Sequence, residues 1–278
     1  MRPWRARSCV SSTSVASVLA GEVAVVTAAV QGIGEAIARS LAEAGARVAV
    51  TYRDRARAEL VARSLGEGHA GFALDVRSTA SVDEAAAAVA ARLGEPTILV
   101  NNAGVNRIGP TETMSDEDWE LVLDVNLTGA FRCCRAFGSR MLAAGRGSIV
   151  NVASIIGPLT AMPGRAPYAA SKAGVVGLTR VLAIDWAAHG VRVNALLPGP
   201  TMTAMVADAI ERGIVVEQEV VDRTPAGRLA TPADVGDAVV LLCSPEARFV
   251  TWQALAVDGG YTTYGAAHPV SRAPRRPD

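Results

Sequence analysis

Aromatic residues are scarce in this chain: phenylalanine, tyrosine and tryptophan make up 4% of its 278 residues. A surplus of either charge is missing too, since 27 Lys and Arg stand against 27 Asp and Glu. Zero net charge removes the electrostatic case for a nucleic-acid partner or an anionic membrane surface. The four cysteines, Cys9, Cys133, Cys134 and Cys243, have no spacing that reads as a metal or disulfide framework. His69 and His189 are isolated and His268 lies near the end, so no metal site is expected. No apolar run approaches the ~18 residues of a membrane span. A cytoplasmic protein is expected.

Alanine, valine and glycine are abundant instead, and half of the residues are hydrophobic. Small side chains suit close packing of helices on a sheet. The length allows one large α/β domain with a full core. Residues 1–18 carry Arg2, Arg5 and Arg7 and several serines, with no acid and no continuous apolar stretch. They read as an extension without a secretory signal, expected to be disordered. The domain proper is expected over 19–264, followed by a mobile Pro/Arg-rich tail over 265–278.

Along the chain, short apolar runs alternate with helical stretches. Glu22 to Thr27 reads as a strand buried on both faces, as in a parallel sheet. Strands are also expected at Arg47 to Thr51, Gly71 to Leu74, Thr97 to Val100, Ser148 to Val152, Val191 to Leu196 and Ala254 to Val257. Helix starts are marked by Asp54, by Ser78 or Thr79, by Ser115 with acids behind it, and by Thr231 before Pro232. A helix with room for a break runs to Ala144, and a long one ends near Ala188. Strand alternating with helix implies parallel strands with right-handed crossovers. The expected fold is a single doubly wound Rossmann-type α/β domain with a parallel sheet of about seven strands.

Two stretches carry chemistry. Thr27-Ala28-Ala29-Val30-Gln31-Gly32-Ile33-Gly34 joins the first strand to the first helix. Glycines there let the backbone approach a pyrophosphate at a helix N-terminus, where amides and the dipole favour an anion. Tyr168 and Lys172 are four residues apart on a helix and so share a face. A phenol titrates near ~10, and an ammonium beside it favours the phenolate. Such a pair can exchange a proton with a substrate oxygen near neutral pH.

Thr27 to Gly34, Asn101-Asn102-Ala103-Gly104, Asn126, Ser154, Tyr168 with Lys172, and Pro198-Gly199 stand in an order and spacing that resembles the short-chain dehydrogenase/reductases. The resemblance runs from Ala20 to about Tyr264. It implies that Tyr168 is the general acid in reduction and the base in oxidation, with Lys172 lowering its pKa and holding the nicotinamide ribose. It implies that Ser154 hydrogen-bonds the substrate carbonyl and that Asn126 holds a water linking Lys172 to solvent. Gly32, Ile33 and Gly34 would cradle the pyrophosphate, with Thr27 and Gln31 among the cofactor contacts. Asp75 and Val76 would meet the adenine ring; Asn102, Ala103 and Gly104 would line the adenosine side. Pro198, Gly199, Thr201 and Thr203 would form the nicotinamide-side loop, with Thr203 on the carboxamide.

Two positions bear on the cofactor. Relatives usually have Thr-Gly where this chain has Thr27-Ala28, and a negative φ is expected at Ala28. Where NAD-preferring relatives place an aspartate stands Tyr52, followed by Arg53, whose fork suits a 2′-phosphate. NADP(H) is therefore expected ahead of NAD(H), with Asp54 read as a helix cap.

The resemblance implies an oxidoreductase interconverting a small-molecule ketone and secondary alcohol. A 3-oxoacyl-thioester reductase leads. The apolar stretch from Thr201 to Arg223 would cover the substrate, and Arg132, Arg135 and Arg140 could meet an acidic carrier protein. A sugar or polyol dehydrogenase of gluconate or glucose type is the alternative, suggested by Asn106-Arg107 and Arg223-Thr224-Pro225. Ala28 is the sole support for a third reading, a regulatory cofactor-binding protein without turnover. Assembly as a homotetramer or homodimer is implied, through the helix after Asn126 and the Tyr-bearing helix.

Overall fold

Seven strands pair side by side and all in parallel, in the order β3-β2-β1-β4-β5-β6-β7. The structure, a computed structural model, describes residues 18–265. The N-terminal extension and C-terminal tail fall outside them, apart from Val18 and Gly265. The strands are β1 (Val23–Thr27), β2 (Arg47–Tyr52), β3 (Ala70–Ala73), β4 (Ile98–Asn101), β5 (Gly147–Val152), β6 (Val191–Pro198) and β7 (Ala254–Val257). Between them run α1 (Gly32–Glu43), α2 (Arg55–Ser64), α3 (Thr79–Leu93), α4 (Asp116–Leu123), α5 (Gly129–Ala144), α6 (Ala166–Ala187), α7 (Ala204–Glu211), α8 (Glu217–Arg223) and α9 (Pro232–Cys243). This is the doubly wound architecture expected from the alternating pattern.

The strand run Val-Ala-Val-Val-Thr of β1 is buried at every position. Ala24 and Val26 face one layer, with Ile37 and Leu41 of α1 and Val235 and Val239 of α9. Val23 and Val25 face the other, with Val89 of α3 and Phe137 and Met141 of α5. A strand covered on both faces has no polar alternation, which explains its sequence.

The helix starts follow the cap residues. Asp54 Oδ1 accepts from the amides of Ala56 and Arg57 at 2.9 and 3.3 Å. Ser78, Ser115 and Thr231 cap α3, α4 and α9, the last in a reciprocal capping box with Asp234. The break in the helix before Ala144 is a π-helical turn over Asp124–Thr128. Such wide turns occur often at functional sites, and this one carries Asn126.

The strand order reverses between β1 and β4, and this leaves a crevice at the carboxyl ends of those strands. The β1–α1 turn and Asn101 to Gly104 border it. One expectation fails here: Ala28 has φ +53°, in the left-handed region, and not the negative φ expected. Its strain costs ~1–2 kcal/mol. Neighbours supply the restraint that local sequence lacks. Asn102 Nδ2 donates to the carbonyls of Thr27 at 3.0 Å and Ala28 at 3.2 Å. The Ala29 amide donates to the Thr51 carbonyl at 3.1 Å. Trp252 has φ +62° as well, and the Arg180 guanidinium stacks 4.1 Å from its ring centroid.

Candidate active site

Four segments converge beyond the carboxyl ends of β4 and β5. Ser154 follows β5, Tyr168 and Lys172 lie in the first two turns of α6, Asn126 sits in the π turn, and Gly104 follows β4. Ser154 is close enough to the Tyr168 phenol to act on its titration, and its hydroxyl accepts from the Ile156 amide at 3.1 Å. Lys172 is buried beneath, with Nζ donating to the Val152 carbonyl at 2.8 Å. Nζ lies 5.7 Å from the Tyr168 ring centroid. Asn126 Oδ1 accepts from the Val105 amide at 2.8 Å, and Nδ2 donates to the Val105 carbonyl and to Ser171 Oγ, each at 3.0 Å. Ser171 Oγ in turn donates to the Tyr168 carbonyl at 2.8 Å. A methyl group on Gly104 would stand 3.5 Å from both Asn126 Oδ1 and Lys172 Nζ. The backbone there thus lies against both side chains.

Burial dominates the electrostatics of the pair. Burial raises the phenol of Tyr168 above its ordinary value, while the Ser154 hydrogen bond and the charge of Arg165 pull it down. Burial brings Lys172 itself down to about 8. The ammonium thus loses its proton close to working pH.

The residues at the crevice fit a dinucleotide. Gln31 begins α1 with no side-chain cap, so the first amides of the helix are open to an anion. Gly34 cannot carry a side chain: a Cβ would meet Asn102 Nδ2 and the Ala28 carbonyl. Gly32, at φ +57°, and Ile33 complete the turn. Arg53 is exposed, lies 6.0 Å from the Tyr52 ring centroid, and makes no salt bridge among the described residues. Thr203 stands over the turn, its Cγ2 3.7 Å from where a Gly32 Cβ would be. The loop of Pro198, Gly199 and Thr201 therefore reaches the β1–α1 turn.

Some predicted contacts have partners of their own. The Thr27 hydroxyl is buried and accepts from the amides of Asn102 and Ala103, both at 2.9 Å. It ties β1 to β4. Asp75 caps its own turn: Oδ1 accepts from the Arg77 amide at 3.0 Å, and its carboxylate pairs with the Arg77 guanidinium at 2.7 Å. That bond holds the carboxyl below its ordinary range. Val76 is buried under Gly129, and its carbonyl accepts from Arg132 at 3.2 Å. Thr203 Oγ1 caps α7, accepting from the Val206 amide at 3.3 Å.

Sequence reasoning missed Arg57. Arg57 lies 5.2 Å from the Tyr52 ring centroid, which Arg53 also approaches. Its position four residues beyond Arg53 was the available signal. Asn106, read in the sequence as a sign of the polyol alternative, has a buried Oδ1 without a hydrogen-bond partner among the described residues. No periodic pattern marks such an atom.

Among the described residues no three His, Cys, Asp or Glu side chains gather to hold a metal ion. No described helix is long and apolar enough to cross a membrane.

A family model described as enoyl-(acyl carrier protein) reductase matches residues 27–262. A D-threitol dehydrogenase of Mycolicibacterium smegmatis is 44% identical over 249 residues, covering 88% of this chain and 94% of that protein. A 3-oxoacyl-(acyl-carrier-protein) reductase of Vibrio cholerae is 39% identical over 244 residues, covering 87% and 98%. Among solved structures, a gluconate 5-dehydrogenase from Burkholderia cenocepacia in complex with NADP and tartrate superposes with a TM-score of 0.84 at 36% identity, covering 90% and 98%.

Proposed function

This chain belongs to the short-chain dehydrogenase/reductase family of oxidoreductases acting on CH–OH and C=O groups, and from that premise we propose that it reduces a ketone to a secondary alcohol with NADPH, the ketone being a 3-oxoacyl thioester. The observation that carries the catalytic part is Ser154 set beside the Tyr168 phenol, with Lys172 buried next to them. Bound NADPH supplies the hydride. Ser154 and Tyr168 together hold the substrate carbonyl oxygen by hydrogen bonds that strengthen as negative charge grows on it. Tyr168 then gives that oxygen its proton. Burial keeps the phenol protonated until the substrate needs it. Lys172, held by the Val152 carbonyl, stabilises the phenolate left behind and orients the ribose. Asn126, fixed by Val105 and Ser171, keeps the path from Lys172 to solvent.

Cofactor choice falls to Tyr52, Arg53 and Arg57. The Tyr52 side chain offers no carboxylate to the ribose hydroxyls, and the two guanidiniums beside it favour a 2′-phosphate. The NADP held by the Burkholderia relative supports the same choice.

For the acyl reading, Met205, Ile214 and Val216 on and beside α7 are exposed apolar side chains in the segment expected to cover the substrate. The carrier-protein argument is weaker than expected. Arg132 pairs with Asp124 at 2.7 Å and Arg140 with Glu95 at 3.0 Å, so neither cation is free. A polyol reading has its own observation: the partnerless Asn106 Oδ1 follows Gly104 and would accept from a substrate hydroxyl. The D-threitol dehydrogenase similarity points the same way. NADPH oxidation with 3-oxoacyl thioesters, set against NADP reduction with tetritols, hexitols and gluconate, decides between them. Turnover of neither class would leave the regulatory reading.

The enzyme is proposed to act in the cytoplasm as a homotetramer or homodimer. An apolar groove of about 230 Å³ between α5 and α6, lined by Phe131, Leu142, Leu182 and Trp186, supports pairing through those helices.

A further inference from the structure

At the opposite end of the sheet from Tyr168 lies a pocket of about 170 Å³. The amino ends of β1, β4, β5 and β6 and the carboxyl end of α9 enclose it. Its wall carries three guanidiniums, Arg146, Arg192 and Arg248, and one carboxylate, Glu22. That imbalance sits in a chain with no net charge.

The three arginines are held differently. Arg192 is half-buried, and its Nη1 donates to the Val250 carbonyl at 3.1 Å. A guanidinium has five N–H donors, and no other bond from this one is recorded among the described residues. Burial holds its pKa below the ordinary arginine value. Arg146 pairs with Glu22 at 3.2 Å and is otherwise open to solvent. Arg248 is exposed and makes no salt bridge among the described residues, though Glu246 lies within reach of its field. The Ser148 hydroxyl lines the wall, donates to the Leu242 carbonyl at 3.4 Å and also meets the Cys243 thiol.

The charges decide what fits. Against three cations stand one carboxylate and the negative end of α9, worth roughly half a charge. Among the lining residues a net positive charge remains, while Glu246, which feels the field of Arg248, stands outside the lining. Partly desolvated guanidiniums gain most from forked bonds to oxyanions. The pocket is well below the ~300 Å³ at which sites for drug-sized ligands begin, which rules out a nucleotide. We propose that this pocket binds a small doubly charged oxyanion of the phosphate class, held by Arg192 and Arg248 with Arg146 at the rim. The ligand would tie α9 to four strand ends, far from the reacting groups, and so act on stability. Free phosphate and a small phosphate monoester share this chemistry.

Thermal unfolding of the full chain tests it, with NADPH saturating so that the cofactor's own phosphate subsites are filled. Sodium phosphate and glycerol phosphate are each compared with sodium chloride at equal ionic strength. Phosphate at several times its dissociation constant should raise Tm by ~2–4 °C. A shift with phosphate alone assigns the site to the free ion, and a shift with both extends it to monoesters. Arg248→Gln, at an exposed and unpaired position, should abolish the shift while keeping turnover. Arg53→Ala, at the other end of the sheet, should keep it. Isothermal titration of phosphate into the NADPH complex should lose its heat in Arg248→Gln and in Arg192→Gln. An equal rise in chloride, or a shift that survives Arg248→Gln, overturns the proposal.

Discussion

Asn102 holds Ala28 in a left-handed turn: its side-chain amide donates to the Ala28 carbonyl at 3.2 Å while Ala28 keeps φ +53°. The β1–α1 turn is thus shaped from the neighbouring strand. Ala28→Gly should relieve strain of ~1–2 kcal/mol, less up to ~1 kcal/mol for the greater freedom of unfolded glycine. The expected net gain is about 0.5–1 kcal/mol, with tighter NADPH binding. Melting curves with and without NADPH check this; a lower Tm in the variant contradicts it.

Lys172 makes stability depend on pH. Its folded pKa is near 8 against 10.5 in the free side chain. Between those values the unfolded chain binds the proton that the folded chain has released. Stability therefore rises with pH across this window, and the burial penalty is present in full below pH 8. Relative to Lys172→Met, the wild type should gain up to roughly 3 kcal/mol from pH 8 to 10.5. Tyr168 acts in the other direction above pH 10, because its folded pKa is raised, and that effect is shared by both proteins. Urea unfolding of the two proteins at stepped pH reads the difference directly, and parallel curves would refute it.

Arg53 should carry cofactor preference. Arg53→Ala is expected to weaken NADPH by the ~1.5–3 kcal/mol of hydrogen bonds to a charged group and to leave NADH nearly unchanged. Arg57→Ala should do the same more weakly, since Arg57 also lies against Tyr52. Fluorescence titrations with both cofactors measure it. Equal losses for NADPH and NADH would show that Arg53 does not meet the 2′-phosphate.

The fold was legible because its signals are local. β1 reads as a strand from five consecutive residues, and Asp54, Ser115 and Thr231 announce their helices with their own side chains. Site residues were named in sequence from the spacing of family motifs, and the structure gathers Asn126, Ser154, Tyr168 and Lys172 at one crevice. What sequence hid depends on contacts between distant segments. The φ of Ala28 is set by Asn102, 74 residues away. The bonds of the Thr27 hydroxyl to Asn102 and Ala103 exist only once β1 and β4 pair. The arginines of α5 looked free because Glu95, 45 residues from Arg140, is invisible as a partner in one dimension.

The central claim is that Tyr168 gives its proton to the substrate oxygen. Tyr168→Phe removes the hydroxyl and keeps the ring packed beside Lys172. The decisive measurement is kcat of this variant on the best ketone, together with its Kd for NADPH. A loss of ~10²-fold or more in kcat, with Kd unchanged, is the predicted result; near wild-type turnover would contradict the account.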